Sequence, residues 1–154
     1  MSYLIDTNIL LRTAEPNHEM YSDAVSAVSG LIAAGENVVT VPQCLIEFWV
    51  VATRPTTSNG LEFSIAEADA EVERIGSLLT ILPERPDIFD EWRLLVAKYS
   101  VRGRNAHDAR IAAAMVAHGV ENIVTFNHSD FRRYTEFNTL TPSDVISEFT
   151  SRPD

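Results

Sequence analysis

Tyr3-Leu4-Ile5-Asp6-Thr7-Asn8-Ile9-Leu10-Leu11 opens with three apolar residues and then, with no turn between, an acid. A run that short and uniformly apolar reads as a strand buried on both faces, the mark of a parallel sheet. The same figure recurs along the chain. Val38 to Val41 reads as a second strand, Thr80 to Leu82 as a third ended by Pro83, Ile123 to Phe126 as a fourth and Phe137 to Leu140 as a last one.

Helical patterns fill the intervals. Tyr21, Ala24, Val25, Val28, Leu31 and Ile32 fall at helical spacing, with Gly35 as the stop. Pro42 suits the first turn of a helix that carries Glu47. Arg54 to Gly60 is a loop by composition, and Ser64-Ile65-Ala66-Glu67 has capping-box spacing for a helix running to about Leu79. Asp87 and Asn105 are each expected to cap a helix, the second ending near His118-Gly119, and Thr141-Pro142 opens a last one. Strands alternating with helices predict an α/β fold with a mostly parallel sheet of about five strands, covered on both faces.

The chain has 154 residues, 45% hydrophobic and 22% charged, which suits one folded domain and argues against disorder. We expect a single domain over residues 1–150 and a frayed tail over 151–154. No apolar stretch approaches the roughly 18 to 20 residues of a membrane span. The start of the chain lacks the basic n-region of a secretory signal, so the expected location is cytoplasmic, with no membrane partner. Cys44 is the one cysteine, which excludes an internal disulfide and a cysteine-cluster zinc site. A net charge of -10 argues against a nucleic-acid partner until its distribution is read. Residues 62 to 91 concentrate acids, whereas residues 102 to 134 hold Arg102, Arg104, Arg110, Arg132 and Arg133 against Asp108, Glu121 and Asp130.

Four acids stand where strands end or helices begin. Asp6 follows the first strand, Glu47 lies in Leu45-Ile46-Glu47-Phe48-Trp49-Val50-Val51, Asp108 starts the helix after Asn105, and Asp130 precedes Phe131 in a polar segment. In parallel sheets ligands bind beyond the carboxyl ends of the strands, where these acids can converge. Carboxylates in apolar surroundings are costly unless a cation offsets them, and a divalent metal is the simplest such partner. Each acid also has a structural explanation. Asp6 can cap a helix, Asp108 can complete a capping box with Asn105, Asp130 can be a turn residue, and Glu47 can pair with an arginine. Glu47 resists explanation most, because its neighbours leave few helix rotations with a polar face.

Other chemistries lack their residues. His18, His107, His118 and His128 have no zinc-ligand spacing, Cys44 has no evident base, and no nucleophile elbow, phosphate loop or dinucleotide fingerprint is present. An aspartate-nucleophile phosphatase usually needs a second aspartate two positions after the first, where this chain has Asn8.

Asp6-Thr7-Asn8-Ile9-Leu10, the helical Glu47, His107-Asp108-Ala109-Arg110-Ile111-Ala112-Ala113 and Thr125-Phe126-Asn127-His128-Ser129-Asp130-Phe131, in that order, resemble the PIN-domain ribonucleases, and the length is similar to that of VapC-like toxins of VapBC toxin–antitoxin pairs. The resemblance implies a three-layer α/β/α PIN-like fold and a metal-dependent endoribonuclease. It implies Asp6, Glu47 and Asp108 as metal ligands, with Asn8 and Thr125 supporting them by hydrogen bonds. Asn127 stands where many relatives have the fourth acid, while Asp130 matches a later acid seen in some, so either can complete the site. Oxygen ligands suit Mg²⁺, with Mn²⁺ as substitute. Arg102, Arg104, Arg132 and Arg133 are candidate contacts to RNA phosphates, with Arg54 as a further one. A small cognate antitoxin, docking near residues 43 to 52 and 65 to 79, and a homodimer are implied by family. A PIN nuclease outside a toxin pair and a catalytically silent PIN-like interaction module are the alternatives.

Overall fold

Leu4, Ile5, Val39, Ile123 and Val124 have no exposed surface, as uniformly apolar strands require. They belong to a five-stranded sheet of β1 (Ser2–Ile5), β2 (Asn37–Thr40), β3 (Thr80–Ile81), β4 (Asn122–Val124) and β5 (Asn138–Leu140). The spatial order is β3-β2-β1-β4-β5 and every neighbouring pair is parallel. The computed structural model describes residues 1–151. The expected frayed tail over 151–154 lies outside them except for Ser151, which ends the last helix.

The helices are α1 (Thr7–Thr13), α2 (Tyr21–Ala33), α3 (Pro42–Thr53), α4 (Ile65–Leu78), α5 (Asp87–Lys98), α6 (Asn105–His118), α7 (His128–Phe131) and α8 (Pro142–Ser151). Together with the sheet they form three α/β/α layers, with α5 packed on α6 and α2 on α8. Among the described residues no helix is long and apolar enough to cross a membrane.

Strand order decides where a ligand can enter. The chain leaves β1 to build β2 and β3 on one side, then returns to build β4 and β5 on the other. Connections diverging from β1 open a crevice at the carboxyl ends of β1 and β4. Ile5 pairs with Val124, so Asp6 and Thr125 emerge side by side.

Helix ends follow the sequence in part. Ser64 and Glu67 make the reciprocal capping box. Gly119, at φ +69°, ends α6, with Val120 N–H donating to the Met115 carbonyl at 2.9 Å, an exit that favours glycine. Asp87 and Asn105 do not cap. Each is the first helical residue, preceded by Pro86 or Arg104 in helical rather than extended geometry, and neither preceding residue makes a side-chain cap bond. An N-cap aims its side chain at the first turn from an extended backbone, and that geometry is missing at the start of each of these two helices. The Asp87 carboxylate instead takes two hydrogen bonds from Arg85. The helices α1 and α7 have no counterpart in the periodicity. Seven and four residues are shorter than the windows in which helical spacing is legible. The 54–60 loop contains a 3-10 turn at Thr56–Ser58 and closes so tightly that a Cβ on Gly60 would overlap the Arg54 carbonyl.

Candidate active site

Asp6 follows directly on β1, 6% exposed, and both carboxylate oxygens are engaged. Oδ1 accepts from Thr7 N–H at 2.8 Å, which caps α1. Oδ2 accepts from Thr125 Oγ1 at 2.8 Å and from Asn8 Nδ2 at 3.3 Å. Asn8 in turn accepts from Phe126 N–H at 3.1 Å, and Thr125 Oγ1 accepts from Asn127 N–H at 3.0 Å. The segment after β4 is thereby tied to the start of α1. Asp6 is therefore both a helix cap and a member of a braced group, and the two readings of its sequence position are compatible.

Glu47 reaches the crevice from α3. Its Oε2 accepts from Thr7 Oγ1 at 3.0 Å and its Oε1 from Gln43 Nε2 at 3.0 Å. Among the described residues it has no ion pair, so the arginine alternative is not realised; Arg110 reaches only Gln43, at 3.3 Å, while pairing with Glu84. Glu47 is partly exposed, and its neighbours Ile46 and Val50 are 64% and 52% exposed. The few rotations with a polar face expected from these neighbours do not keep the helix from solvent. Its apolar sequence covers two faces, one packed on the core through Phe48 and one turned to solvent. Sequence reasoning misses Thr7 and Gln43, although Gln43 lies four residues before Glu47, the spacing that juxtaposes side chains on a helix. The Gln43 amide also donates to the His107 carbonyl at 2.8 Å, linking α3 to the first turn of α6.

That turn carries Asp108. Its carboxylate is half-buried, and among the described residues nothing donates a hydrogen bond to it. The capping-box explanation is therefore not realised. Burial, then the charges of Asp130 and Glu47, push its pKa up to about 6, against the pull of His107 and Arg133. Burial likewise pushes Asp6 up to about 6, opposed by the hydrogen bonds from Thr125 and Thr7 and reinforced by the charges of Asp108 and Glu47. The four acids share one electrostatic field in which Asp130, on α7, acts on Asp108. They are coupled by charge rather than by contact: among the described residues no three His, Cys, Asp or Glu side chains are grouped closely enough to hold an ion directly. Asn127 is exposed at the start of α7 and makes no side-chain cap bond.

The arginines disperse. Arg133 lies within the field of Asp108. Arg102 and Arg104 are exposed just before α6 and make no ion pair among the described residues. Arg132 turns away, onto a cleft of about 420 Å³ shared with His128 and not with the acids. Arg54 donates from Nη2 to the Asn59 carbonyl at 3.3 Å and fastens its own loop. Cys44 is buried beside Thr7, as a small apolar residue would be.

Oxygen donors on separate elements, two of them acids with raised pKa values, suit by their chemistry a hard divalent cation that keeps part of its water shell. They do not fit zinc or copper, which favour nitrogen and sulfur.

A family model of the PIN domain matches residues 3–136. No curated protein matches the chain in sequence. Among solved structures, the chain is similar to VapBC2 from Rickettsia felis bound to a promoter DNA fragment, at 17% identity and TM-score 0.65, over 92% of this chain and 98% of that one. It is similar to the sarcin-ricin-loop-cleaving toxin VapC20 from Mycobacterium tuberculosis, at 17% identity and TM-score 0.60, over 83% and 92%. A toxin–antitoxin complex from Klebsiella pneumoniae matches at 22% identity and TM-score 0.62, over 91% and 97%. At these identities the structural likenesses establish the fold, and the family model spans most of the chain. The protein belongs to the PIN domain family.

Proposed function

We propose that this protein is a metal-dependent endoribonuclease that hydrolyses phosphodiester bonds in RNA, acting as the toxin of a toxin–antitoxin pair. The observation that carries the reading is the charge field that Asp6, braced by Asn8 and Thr125, shares at the carboxyl ends of β1 and β4 with Glu47 and the Asp108 carboxylate, to which no described residue donates. Asp6 and Asp108 would hold Mg²⁺ or Mn²⁺, with water completing its shell and Glu47 reaching it through water. Such an ion supplies charge neutralisation at the scissile phosphate and acidifies a water. Asn8 and Thr125 keep Asp6 oriented, and Thr7 and Gln43 do the same for Glu47. Asp130 would accept a proton from the attacking water on the Asp108 side. Asn127 supports the turn through its main chain. Arg133 balances charge beside Asp108, and Arg102 and Arg104 offer exposed cations to the backbone of the strand.

For the antitoxin, the α3–α4 pair inferred from sequence exposes Ile46, Val50 and Ile65, and an apolar groove of about 290 Å³ between α2 and α4, lined by Val25, Val28, Ile32 and Leu78 with Arg74 at its side, is a second candidate surface. Exposed Phe89 and Leu94 on α5 suit a homodimer contact. The deciding experiment induces the wild type, Asp6→Asn and Asp108→Asn in cells and assays the purified proteins on single-stranded RNA with Mg²⁺ or Mn²⁺. Growth arrest and cleavage by the wild type, both lost in the variants, are expected. Three soluble proteins that are equally harmless and cut nothing would sink the proposal.

A further inference from the structure

The cleft behind α7 lies outside the acid site, and its lining suits a specific chemistry. His128 and Arg132 are four residues apart on one turn, hence on one side of it, while Asp130 between them points the other way. Both His128 and Arg132 are exposed, and among the described residues neither side chain makes a hydrogen bond or ion pair. That freedom is informative in a chain of net charge -10, where Arg12, Arg74, Arg85, Lys98 and Arg110 are all tied to carboxylates.

The rest of the lining is mixed. Tyr134 and Phe137 form its floor as buried rings packed on one another, and Glu148 also lines it. Thr139, on the edge strand β5, lines the cleft and leaves its hydroxyl buried with no partner among the described residues. A volume of about 420 Å³ falls within the range of small-ligand sites. Cations for a phosphate and polar groups for a sugar or base edge are how a nucleotide of single-stranded RNA is positioned.

We infer that this cleft is a subsite for one nucleotide of the RNA strand flanking the cut, its phosphate met by Arg132 and His128. The inference rests on the ribonuclease reading above. A helix with its side chains is about 10 Å across, so a strand lying over α7 reaches the cleft roughly one or two nucleotides from the acids. The single turn then faces the substrate twice, with Asp130 toward the cut and the His128–Arg132 side toward the neighbouring nucleotide.

The test has a binding arm and a kinetic arm. A labelled single-stranded RNA is titrated in EDTA with Asp6→Asn protein, with and without Arg132→Glu or His128→Ala. Cleavage by the otherwise wild-type chain is then measured with Mn²⁺. Both substitutions change exposed side chains that bond nothing among the described residues, so the fold is retained. Arg132→Glu is expected to weaken RNA binding and raise KM about tenfold with kcat within about twofold, a change of ~1.4 kcal/mol. His128→Ala should act in the same direction, less strongly. Unchanged affinity and KM in both variants overturn the inference while leaving the ribonuclease reading intact. A wild type that cuts nothing, yet binds RNA through Arg132, sinks that reading and leaves the subsite standing. AMP serves as a free-nucleotide probe: AMP binding that depends on Arg132 while RNA binding does not would assign the cleft to a free ligand and overturn the inference. Loss of antitoxin binding alone would assign it to a protein, with the same consequence.

Discussion

At Asp6 one carboxylate caps α1 through Oδ1 and receives Thr125 and Asn8 at Oδ2, and burial makes its ionised form expensive. Its pKa in the folded chain, about 6, lies above the ordinary value of 3.8. The protonated form therefore favours folding, fully so below about pH 4, and the contribution is lost as pH rises through about 6. Two pKa units correspond to about 3 kcal/mol. Asp6→Asn is accordingly expected to be more stable than the wild type in EDTA at pH 7.5, the gap closing toward pH 4; a gap in Tm that is flat from pH 4 to 8 would count against it. Divalent cation should raise the wild-type Tm at pH 7.5 and leave Asp6→Asn nearly unmoved. The position of Asp6 is legible because a strand end is written in three apolar letters. The partners of Glu47 are not, because Thr7 and Gln43 look like ordinary helix residues until α1 and α3 are brought together. Ile46 and Val50 mislead for a related reason, since hydrophobicity does not say which apolar face meets the core and which meets solvent.

At the scale of elements, the site depends on how α3 and α6 are held together. Gln43 joins Glu47 to the His107 carbonyl, one residue before Asp108, so one amide sets the relative position of two acids on different helices. Gln43→Leu is expected to lower kcat about tenfold with a Tm within a few degrees of wild type, measured by RNA cleavage and thermal denaturation. Parallel losses in stability and activity would make the contact merely structural. Ser64→Ala should show the opposite pattern, because the α4 capping box lies outside the site. We expect a loss of about 1 kcal/mol in denaturant unfolding with unchanged cleavage. That box is legible because its residues are adjacent in sequence and its backbone geometry is extended. The first turns of α5 and α6 are not, since Pro86 and Arg104 lie inside turns in which the Arg85 and Gly103 carbonyls accept from Ile88 and Ala106 N–H. The site's fourth acid stays ambiguous in sequence for the same kind of reason: α7 is one turn long, and only its placement brings Asp130 into the field of Asp108.

Over the whole molecule, an acidic chain ties five of its cations to carboxylates and leaves Arg102, Arg104 and Arg132 outside ion pairs among the described residues, where they would face the proposed RNA strand. The proposed antitoxin would use a different surface, the apolar groove over which Leu78 is 51% exposed. Leu78→Glu is expected to leave cleavage and folding intact while weakening capture by the cognate antitoxin at least tenfold in a titration of the two purified proteins. Undiminished capture would move the docking surface elsewhere. The sheet order β3-β2-β1-β4-β5 also has a consequence in time. Thr125 meets Asp6 across 119 residues of sequence. A ribosome making this chain exposes Asp6 early, yet β4 cannot pair with β1 until residues 122–124 have left the exit tunnel, and long-range parallel pairing is slow. A nascent chain thus holds Asp6 without its Thr125 partner until β4 has emerged, and the site is assembled only when that pairing forms.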